Sequence, residues 1–310
     1  MSTQTTTAKA TTGVATLLDE NGVLWRIKLR LQFTGWLQYM PPLLAGVALL
    51  FVAGLLALLG ALHPASAVFA VLGGLLLADF AFEVVTTRLG VRPTEAVPPP
   101  PTSLDAFGLM RNRRSCRSFQ ARDLTPEHKE AVLASVQAHT RPDRLLGTSP
   151  IRFEYVAAPL TVWPAVGAHE FLVAIAPSTY DRTAVIDVGR SLQQVVIDAT
   201  RLGVATCWIG PGADHASIER HLGARLDPAR DHIICVCALG YRSRIIPFMV
   251  RMMSRAMSTR LPLEALFFSD PGLRTPLDVA AAPFADFGRC YEACQWSPSS
   301  YNGQTTRCVG

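Results

Sequence analysis

The segment Gln295-Trp296-Ser297-Pro298-Ser299-Ser300-Tyr301-Asn302-Gly303-Gln304, close to the end of the chain, carries the most informative local pattern in this sequence. A proline followed by two serines, with an asparagine and a glutamine close behind, places short hydrogen-bonding side chains on a restrained backbone. Such a turn can grip a polar planar ligand, but the same residue types dominate ordinary surface turns. The rest of the chain has to decide between these two interpretations.

The composition indicates a membrane-embedded part. Hydrophobic residues make up 49% of the 310-residue chain and charged residues only 17%, and the mean hydropathy is +0.25. These values are unusual for a soluble protein. The length allows one large domain or two small ones. The net charge of +5 is modest and scattered, so we expect no nucleic-acid partner.

The seven cysteines form an odd set without a paired CxxC motif, so we expect reduced thiols. Cys290 and Cys294 lie one helical turn apart and could share a metal with Cys308. Since no histidine pair completes such a set, we predict no metal site and interpret these thiols as small apolar residues.

Two apolar runs predict a transmembrane helical hairpin over residues 41–88. The first run, 43–62, is uncharged and about long enough to cross a bilayer, and the second ends near Val85. Asp79 and Glu83 lie on one face of the second run. We expect them at the headgroups beside Arg88, with a proton relay as the less favoured alternative.

Basic residues flank the hairpin and are missing from its short loop. By the positive-inside rule, both ends then face the cytoplasm, which predicts an inner (cytoplasmic) membrane protein with two spans and a cytoplasmic N-terminal segment 1–40. Within that segment, residues 25–33 alternate between apolar and basic or polar side chains. The alternation predicts a strand, or a cationic strip in contact with membrane lipids.

A proline-rich linker, 89–102, separates the hairpin from the rest of the chain, and its prolines predict an extended spacer. The domain 103–310 interleaves helical and strand patterns without a strict strand–helix repeat. We therefore predict an α+β domain. Strands are predicted over 151–157, 170–176, 204–209 and 232–239, and helices over 104–114, from 125, over 185–202 and between 214 and 223.

Three arginines within five residues, Arg113, Arg114 and Arg117, flank Ser115. They can wrap a phosphate by charge-assisted hydrogen bonds, although a solvated basic face is the alternative. The sequence has no GxGxxG after a strand and no GxxxxGK[ST], so dinucleotide-binding and P-loop folds lose their main support. It also lacks HExxH and GxSxG motifs.

Four features of the domain resemble those of FMN-dependent nitroreductases. Residues 113–119, RRSCRSF, are similar to the RRSxRxF signature that opens the family's domain, and residues 296–304 are similar to its APSSxNxQPW segment. Residues 189–210 resemble its helix and flavin-contacting WxG turn, and Arg260 resembles its late basic residue before PLE. The resemblance covers about residues 103–310. It implies a nitroreductase-like FMN-binding fold with an antiparallel or mixed sheet and flanking helices.

The motif order departs from the ordinary family, in which PSSxN follows soon after RRSxR. Here that place holds residues 139–150, and the order resembles the membrane-associated "TM nitroreductase" branch, with an appended second copy beginning at 285–310. Ordinary members build the flavin site at a homodimer interface, whereas a fused copy could complete it within one chain. Thr305 and Thr306 replace the usual Pro-Trp.

The resemblance implies three groups of cofactor-binding residues. Arg113, Ser115 and Arg117 would hold the FMN phosphate and ribityl oxygens, with Arg114 close by and Arg260 adding charge. Pro298, Ser299, Ser300 and Asn302 would contact the ring and ribityl chain from the other side. Cys207, Trp208, Ile209 and Gly210 would lie against the ring.

The implied function is a membrane-anchored, FMN-dependent oxidoreductase. It would pass two electrons from NAD(P)H through flavin to a nitro compound, quinone or similar acceptor by a ping-pong mechanism, without a catalytic side chain. The alternative is a non-catalytic flavin-binding or membrane scaffold protein that keeps the fold. Residues 245–257 form an insertion that would be a lid, a helix on the bilayer or a plain packed helix.

Overall fold

The computed structural model describes residues 27, 35–36, 39–59, 64–163, 165–210 and 212–310. Most of the predicted N-terminal segment 1–40, including the strand expected over 25–33, lies outside this range. Of that expected strand only Ile27 is described, and it is helical. The chain divides into two compact units, Met1–Val84 and Val85–Gly310.

The first unit contains two apolar helices of similar length, α1 (Met40–Leu58) and α2 (Pro64–Glu83). Both are long and apolar enough to cross a membrane, and the second continues as a π-helical turn, Val84–Arg88. Gly46 and Gly73 allow the two backbones to approach, because a Cβ on Gly73 would lie 2.9 Å from the Gly46 carbonyl oxygen. Small residues at such contacts are typical of paired membrane helices.

The second unit contains a four-stranded antiparallel sheet of β1 (Arg152–Ala157), β2 (Glu170–Pro177), β3 (Ala205–Ile209) and β4 (Asp231–Gly240). The strand order in the sheet is β1-β2-β4-β3. Strand β2 is central, and its residues 170–176 are all buried, as its continuous apolar sequence predicts. The predicted α+β class with an antiparallel sheet is confirmed.

Helices flank this sheet, and their ends follow the capping residues in the sequence. The Thr125 hydroxyl caps its helix by accepting from the His128 amide, and Gly223 ends another helix with a φ of +53°. The helices are α3 (Ala106–Asn112), α4 (Pro126–His139), α5 (Arg182–Arg201), α6 (His215–Leu222), α7 (Phe248–Ala256) and α8 (Cys290–Gln295).

Each face of the sheet carries its own apolar core. One core packs α4 and α5 against the sheet through side chains such as Leu192 and Val195. The other contains Phe119 and Ile218 together with the loop that joins β1 to β2. Strand β3 is an edge of the named sheet, so its outer side is free to receive a further extended segment.

The proline-rich segment 89–102 has no helix or strand, but it does not stand free as a spacer. The Glu95 carboxylate accepts hydrogen bonds from the Ser243 hydroxyl (2.7 Å) and the Arg244 amide (2.6 Å). The Ala96 carbonyl accepts from Gln120 Nε2 at 3.0 Å. Extended proline-rich backbone has no internal hydrogen bonds, so its polar groups bond to the domain instead.

The C-terminal part of the second unit forms a small lobe. Strand β5 (Phe267–Phe268) pairs in parallel with β6 (Cys308–Val309). Leu266, Phe267 and Tyr291 form the buried centre of this lobe. The lobe contains the segment that resembles PSSxN.

Candidate functional site

Residues 113–119, here called the arginine wall, lie in extended form beside β3. The Cys116 amide donates to the Thr206 carbonyl at 2.8 Å, and the Phe119 amide donates to the Val166 carbonyl at 2.9 Å. Because side chains alternate along an extended segment, Arg113, Ser115 and Arg117 share one face. All three line a cavity.

This first cavity has a volume of about 630 Å³, within the range typical of small-molecule and cofactor sites. Eleven of the thirteen residues predicted to bind the cofactor line it; Arg114 and Cys207 do not. The lining comes from the arginine wall, from α5, from the end of β3 and from the C-terminal lobe. One chain therefore brings both expected halves of the site together. The eleven residues are Arg113, Ser115, Arg117, Trp208, Ile209, Gly210, Arg260, Pro298, Ser299, Ser300 and Asn302.

Arg113 is a buried cation without an anionic partner among the described residues. The residue is only 4% exposed, its Nε has no hydrogen-bond partner, and its guanidinium takes part in no ion pair there. Burial, followed by the charges of Arg260 and Arg114, lowers the pKa of Arg113 to about 10. The group therefore stays protonated at neutral pH. A buried, unpaired charge is costly, so this position calls for an anion.

Four further residues that line the same cavity have buried polar atoms without partners within the described residues. These atoms are the Nε atoms of Arg117 and Arg260, the indole nitrogen of Trp208 and Oε1 of Gln193. The guanidinium groups suit a phosphate. The indole N–H and the glutamine oxygen offer one donor and one acceptor to a ring that carries both carbonyl and N–H groups. The residues present therefore fit FMN.

Residues 296–304, here called the C-terminal wall, form the opposite side of the first cavity. Arg260 Nη1 donates to Asn302 Oδ1 at 2.7 Å, and Asn302 Nδ2 donates to the Thr259 carbonyl at 2.8 Å. Gln304 Oε1 accepts from the Leu261 amide at 2.8 Å. The amide side chains of Asn302 and Gln304 thus fasten the wall to residues 259–261.

This bonding gives Asn302 a structural role that the sequence did not predict. The residue lines the cavity, but both ends of its amide are engaged within the protein. Its backbone φ is +56°, and Tyr301 and Gln304 are also left-handed at +50° and +46°. Asparagine tolerates this conformation better than most residues. Asn302 shapes the wall as much as it faces the cavity.

Trp296 joins the two walls through cation–π contacts. The guanidinium carbon of Arg114 lies 4.3 Å from the centre of the Trp296 ring, and that of Arg260 lies 5.4 Å from it. The resemblance places Arg114 close to the cofactor phosphate, but Arg114 does not line the first cavity. Alternation along the extended arginine wall places it on the other side from Arg113 and Ser115.

Cys207 was also expected at the cofactor, but its side chain is buried in the core beneath the sheet. Burial raises the pKa of its thiol to about 11. Cys235 does reach the first cavity, and burial raises the pKa of that thiol to about 12. Both thiols are therefore protonated at neutral pH and poor nucleophiles. All seven cysteines are free.

One face of α5 lines the cavity and was missed from the sequence. Ile186, Gly189, Arg190 and Gln193 recur at spacings of three and four residues, which places them on one side of a helix. Their mixed chemistry looks like a solvent-facing stripe, so the sequence alone offered little signal. Trp163 was also missed; its ring centre lies 6.1 Å from that of Tyr301, and both residues line the cavity.

Comparison with protein families gives one match for this domain. The sequence profile of the family described as "Putative TM nitroreductase" matches residues 105–308, more than half of the chain. The matched range begins after the two apolar helices. A comparison with curated proteins found no match.

Several solved structures resemble part of the chain at low identity. A nitroreductase family protein from Clostridium difficile 630 is 20% identical, with 52% of this chain and 95% of that chain covered at a TM-score of 0.39. A nitroreductase with bound FMN from Bacteroides fragilis NCTC 9343 is 15% identical, with coverages of 46% and 91% and a TM-score of 0.36. The FMN-dependent nitroreductase NfnB from Mycobacterium smegmatis, in complex with NADPH, is 15% identical, with coverages of 44% and 86% and a TM-score of 0.36. These likenesses are too low to carry a functional argument.

Proposed function

This chain belongs to the TM nitroreductase family, and on that premise we propose that it is an FMN-dependent oxidoreductase. It takes two electrons from NADH or NADPH and passes them to a nitro compound, a quinone or a similar small acceptor. The observation that carries the proposal is the buried, unpaired guanidinium of Arg113 at the edge of the 630 Å³ cavity. This charge matches the phosphate of FMN.

The arginine wall supplies the anion-binding part of the site. In this proposal Arg113 and Arg117 hold the FMN phosphate, Ser115 bonds to the phosphate or ribityl oxygens, and Arg260 adds a third positive charge from the opposite side. Charge-assisted hydrogen bonds from guanidinium groups are stronger than neutral ones, and Arg113 is already desolvated. Because this guanidinium is already desolvated in the protein without FMN, binding of the phosphate does not have to remove its hydration.

The rest of the cavity orients the ring. Trp208 and Gln193 offer unpartnered polar atoms, and Ile209 and Gly210 supply an apolar edge and open backbone. Pro298, Ser299 and Ser300 close the other side. When bound, FMN supplies the two-electron chemistry, and the chain itself needs no nucleophile. The protonated thiol of Cys235 is consistent with that division of labour.

Donor and acceptor share this cavity in turn, which is the physical basis of the ping-pong scheme. The support is that one cavity carries the arginine wall, the ring-facing residues and the Trp163–Tyr301 aromatic pair together. Flat aromatic surfaces favour planar substrates, so nitroaromatic compounds and quinones are the proposed acceptor class. The site is formed within one chain, and a homodimer would add to it rather than complete it.

We further propose that α1 and α2 anchor the protein in the inner membrane, in contact with membrane lipids. The two helices have the length and composition of membrane spans. The distribution of Lys and Arg around them favours a cytoplasmic location for both termini and for the domain. NADH and NADPH are available on that side.

The test begins with the full chain purified in detergent and its visible absorption spectrum. Bound flavin that is bleached by NADH or NADPH without oxygen, and recovers on adding a quinone, supports the proposal. Failure to bind added FMN refutes the flavin assignment. Flavin that binds but is not reduced by either nucleotide leaves a non-catalytic flavin protein, which is the alternative raised by the sequence.

A further inference from the structure

A second cavity of about 250 Å³ adjoins the arginine wall. Arg113, Ser115 and Arg117 line both cavities, whereas Arg114 and Arg242 line only the second. Its volume lies below the range of about 300–1,000 Å³ typical of drug-sized ligands. The second cavity therefore suits a small group rather than a whole dinucleotide.

The lining of the second cavity is strongly positive. Three of its arginines, Arg113, Arg117 and Arg260, also line the first cavity, and four more, Arg114, Arg242, Arg251 and Arg255, belong to the second alone. No Asp or Glu is present among the described residues that line it. None of these seven arginines takes part in an ion pair within the described chain.

One phosphate cannot neutralise this charge. A phosphate monoester carries about 1.5 to 2 negative charges at neutral pH. In the proposed function, the FMN phosphate is bound by Arg113, Arg117 and Arg260, and these three charges already match or exceed it. Four guanidinium groups remain on the second cavity. Like charges held together favour the binding of a further anion.

Helix α7 presents two of these arginines on a single face. Arg251, Ser254 and Arg255 of α7 recur at spacings of three and four residues, and they line the second cavity together with Ser258, just beyond the helix end. Arg251 Nη2 donates to the Ile246 carbonyl at 3.2 Å, which steadies that side chain beside the cavity. The Ser254 hydroxyl adds a donor next to the guanidinium groups. Helix α7, within the insertion 245–257, thus lines a cationic cavity.

We propose that the second cavity is a separate anion site for a phosphate or pyrophosphate group of a ligand other than the flavin. The inference rests on the proposed function only where it assigns Arg113, Arg117 and Arg260 to the FMN phosphate. The phosphate group would come from a nucleotide substrate or from an anionic lipid headgroup. Guanidinium groups recognise both by the same charge-assisted hydrogen bonds.

Inorganic pyrophosphate is the probe, titrated by calorimetry into the FMN-saturated full chain in detergent. The Arg251→Ala/Arg255→Ala double variant should bind pyrophosphate about 100-fold more weakly, roughly tenfold per guanidinium. Arg244→Ala is the matched control, because Arg244 is exposed like Arg251 and Arg255 but lines neither cavity. It should bind within about twofold of the wild-type value.

A second variant on a different element protects the test from misfolding of α7. Arg242→Ala, beyond the end of β4, should also weaken pyrophosphate binding, by about tenfold, while FMN is retained. The proposal is overturned if the FMN-saturated protein binds no pyrophosphate. It is also overturned if the double variant and Arg242→Ala bind it as tightly as Arg244→Ala does.

Competition identifies the source of the phosphate group. Stronger displacement of pyrophosphate by NADP⁺ than by NAD⁺ assigns the site to a nucleotide phosphate, and displacement by short-chain phosphatidylglycerol but not phosphatidylcholine assigns it to a lipid headgroup. Displacement by neither assigns it to free phosphate or pyrophosphate. Pyrophosphate binding that survives in a protein unable to bind FMN would refute the flavin assignment but not this site.

Discussion

The two walls of the first cavity are held in place by different kinds of interaction. The arginine wall is held by backbone hydrogen bonds to Thr206 of β3 and to Val166 in the loop between β1 and β2, and its Cys116 and Phe119 side chains are buried in the core. The C-terminal wall contains three left-handed residues and is fastened mainly by the side chains of Arg260, Asn302 and Gln304. All nine of its residues are exposed or half-buried.

This difference indicates that the two walls have separate roles: the arginine wall binds the charge of the cofactor, and the C-terminal wall closes the cavity. The arginine wall is fixed by the fold and carries the unpaired buried charge, so it should dominate cofactor affinity. The C-terminal wall depends on a few hydrogen bonds at the surface, so its contribution should be graded and sensitive to single side chains. Substitutions at four positions, ordered by their expected effect on FMN affinity, test that division of roles.

The largest loss is expected for Arg113→Met. Removing a desolvated guanidinium that bonds to phosphate should weaken FMN binding by about 10- to 100-fold, because hydrogen bonds to charged groups contribute about 1.5–3 kcal/mol. Quenching of flavin fluorescence on titration measures the Kd. Arg244→Met, which changes an exposed arginine outside the cavity, should leave the Kd within about twofold. Equal Kd values for the two variants would contradict the phosphate role of Arg113.

The same substitution, which weakens FMN binding, should stabilise the flavin-free protein. Arg113 is a buried unpaired charge, so Arg113→Met should raise the thermal midpoint of the flavin-free chain by about 2–4 °C. Burial on folding lowers the pKa of Arg113 from its ordinary value to about 10. Above pH 10 the unfolded chain binds more protons, so the wild type gains stability as pH rises. The advantage of Arg113→Met should therefore shrink between pH 9 and pH 11 in melting scans.

An intermediate loss is expected for substitutions of Asn302 in the C-terminal wall. Asn302→Gly removes its bonds to Arg260 and Thr259 but accommodates the φ of +56°. FMN affinity should fall about tenfold, with faster hydrogen exchange across 296–304. The FMN affinity of Asn302→Ala should be lower still, because the left-handed conformation costs alanine about 1 kcal/mol more than glycine. Equal FMN affinities of Asn302→Ala and Asn302→Gly would show that this backbone conformation does not matter for binding.

A smaller loss is expected for Trp296→Leu. The ring stacks under Arg114 at 4.3 Å, and exposed cation–π contacts contribute about 0.5–1 kcal/mol, so FMN affinity should fall about two- to fivefold. Trp296→Phe keeps a ring and should lie between the wild type and Trp296→Leu. If both variants bind FMN like the wild type, Trp296 does not couple the two walls.

No loss of FMN affinity is expected for Cys207→Ala. The thiol is buried in the core rather than at the cavity, so the substitution should lower the free energy of unfolding by about 1–2 kcal/mol and leave the Kd unchanged. Cys294→Ala, at an exposed cysteine, is the matched control and should alter neither quantity. A weaker Kd for Cys207→Ala would restore the cofactor contact expected from the sequence.

The sequence predicted the elements that position the site well, because each depends on local signals. Thr125 followed by a proline marked the start of α4, and Gly203 and Gly223 marked helix ends at positive φ. Strand β2 was visible as a continuous apolar run. The long apolar runs predicted α1 and α2 for the same reason: hydrophobicity and length are properties of the chain itself.

The individual roles within the site were less predictable, since they depend on which side of a segment faces which neighbour. Arg113 and Arg114 are adjacent and chemically identical, yet one is buried at the first cavity and the other stacks on Trp296. Cys207 and Trp208 are likewise neighbours on opposite sides of β3. The cavity-facing side chains of α5 have mixed polarity, so no amphipathic pattern marked Gln193.

By itself the sequence determined the motif content of this protein, the apolar character of its two N-terminal helices and its α+β class. Those features follow from residue type and spacing over a few turns or strands. Only the tertiary structure decided that residues 113–119 and 296–304 line the same cavity, although about 180 residues separate them. The pairing depends on long-range contacts: the edge of β3 receives the arginine wall, and Arg260 fastens the C-terminal wall opposite it. Local patterns do not encode such contacts, because they arise only when distant segments are packed together.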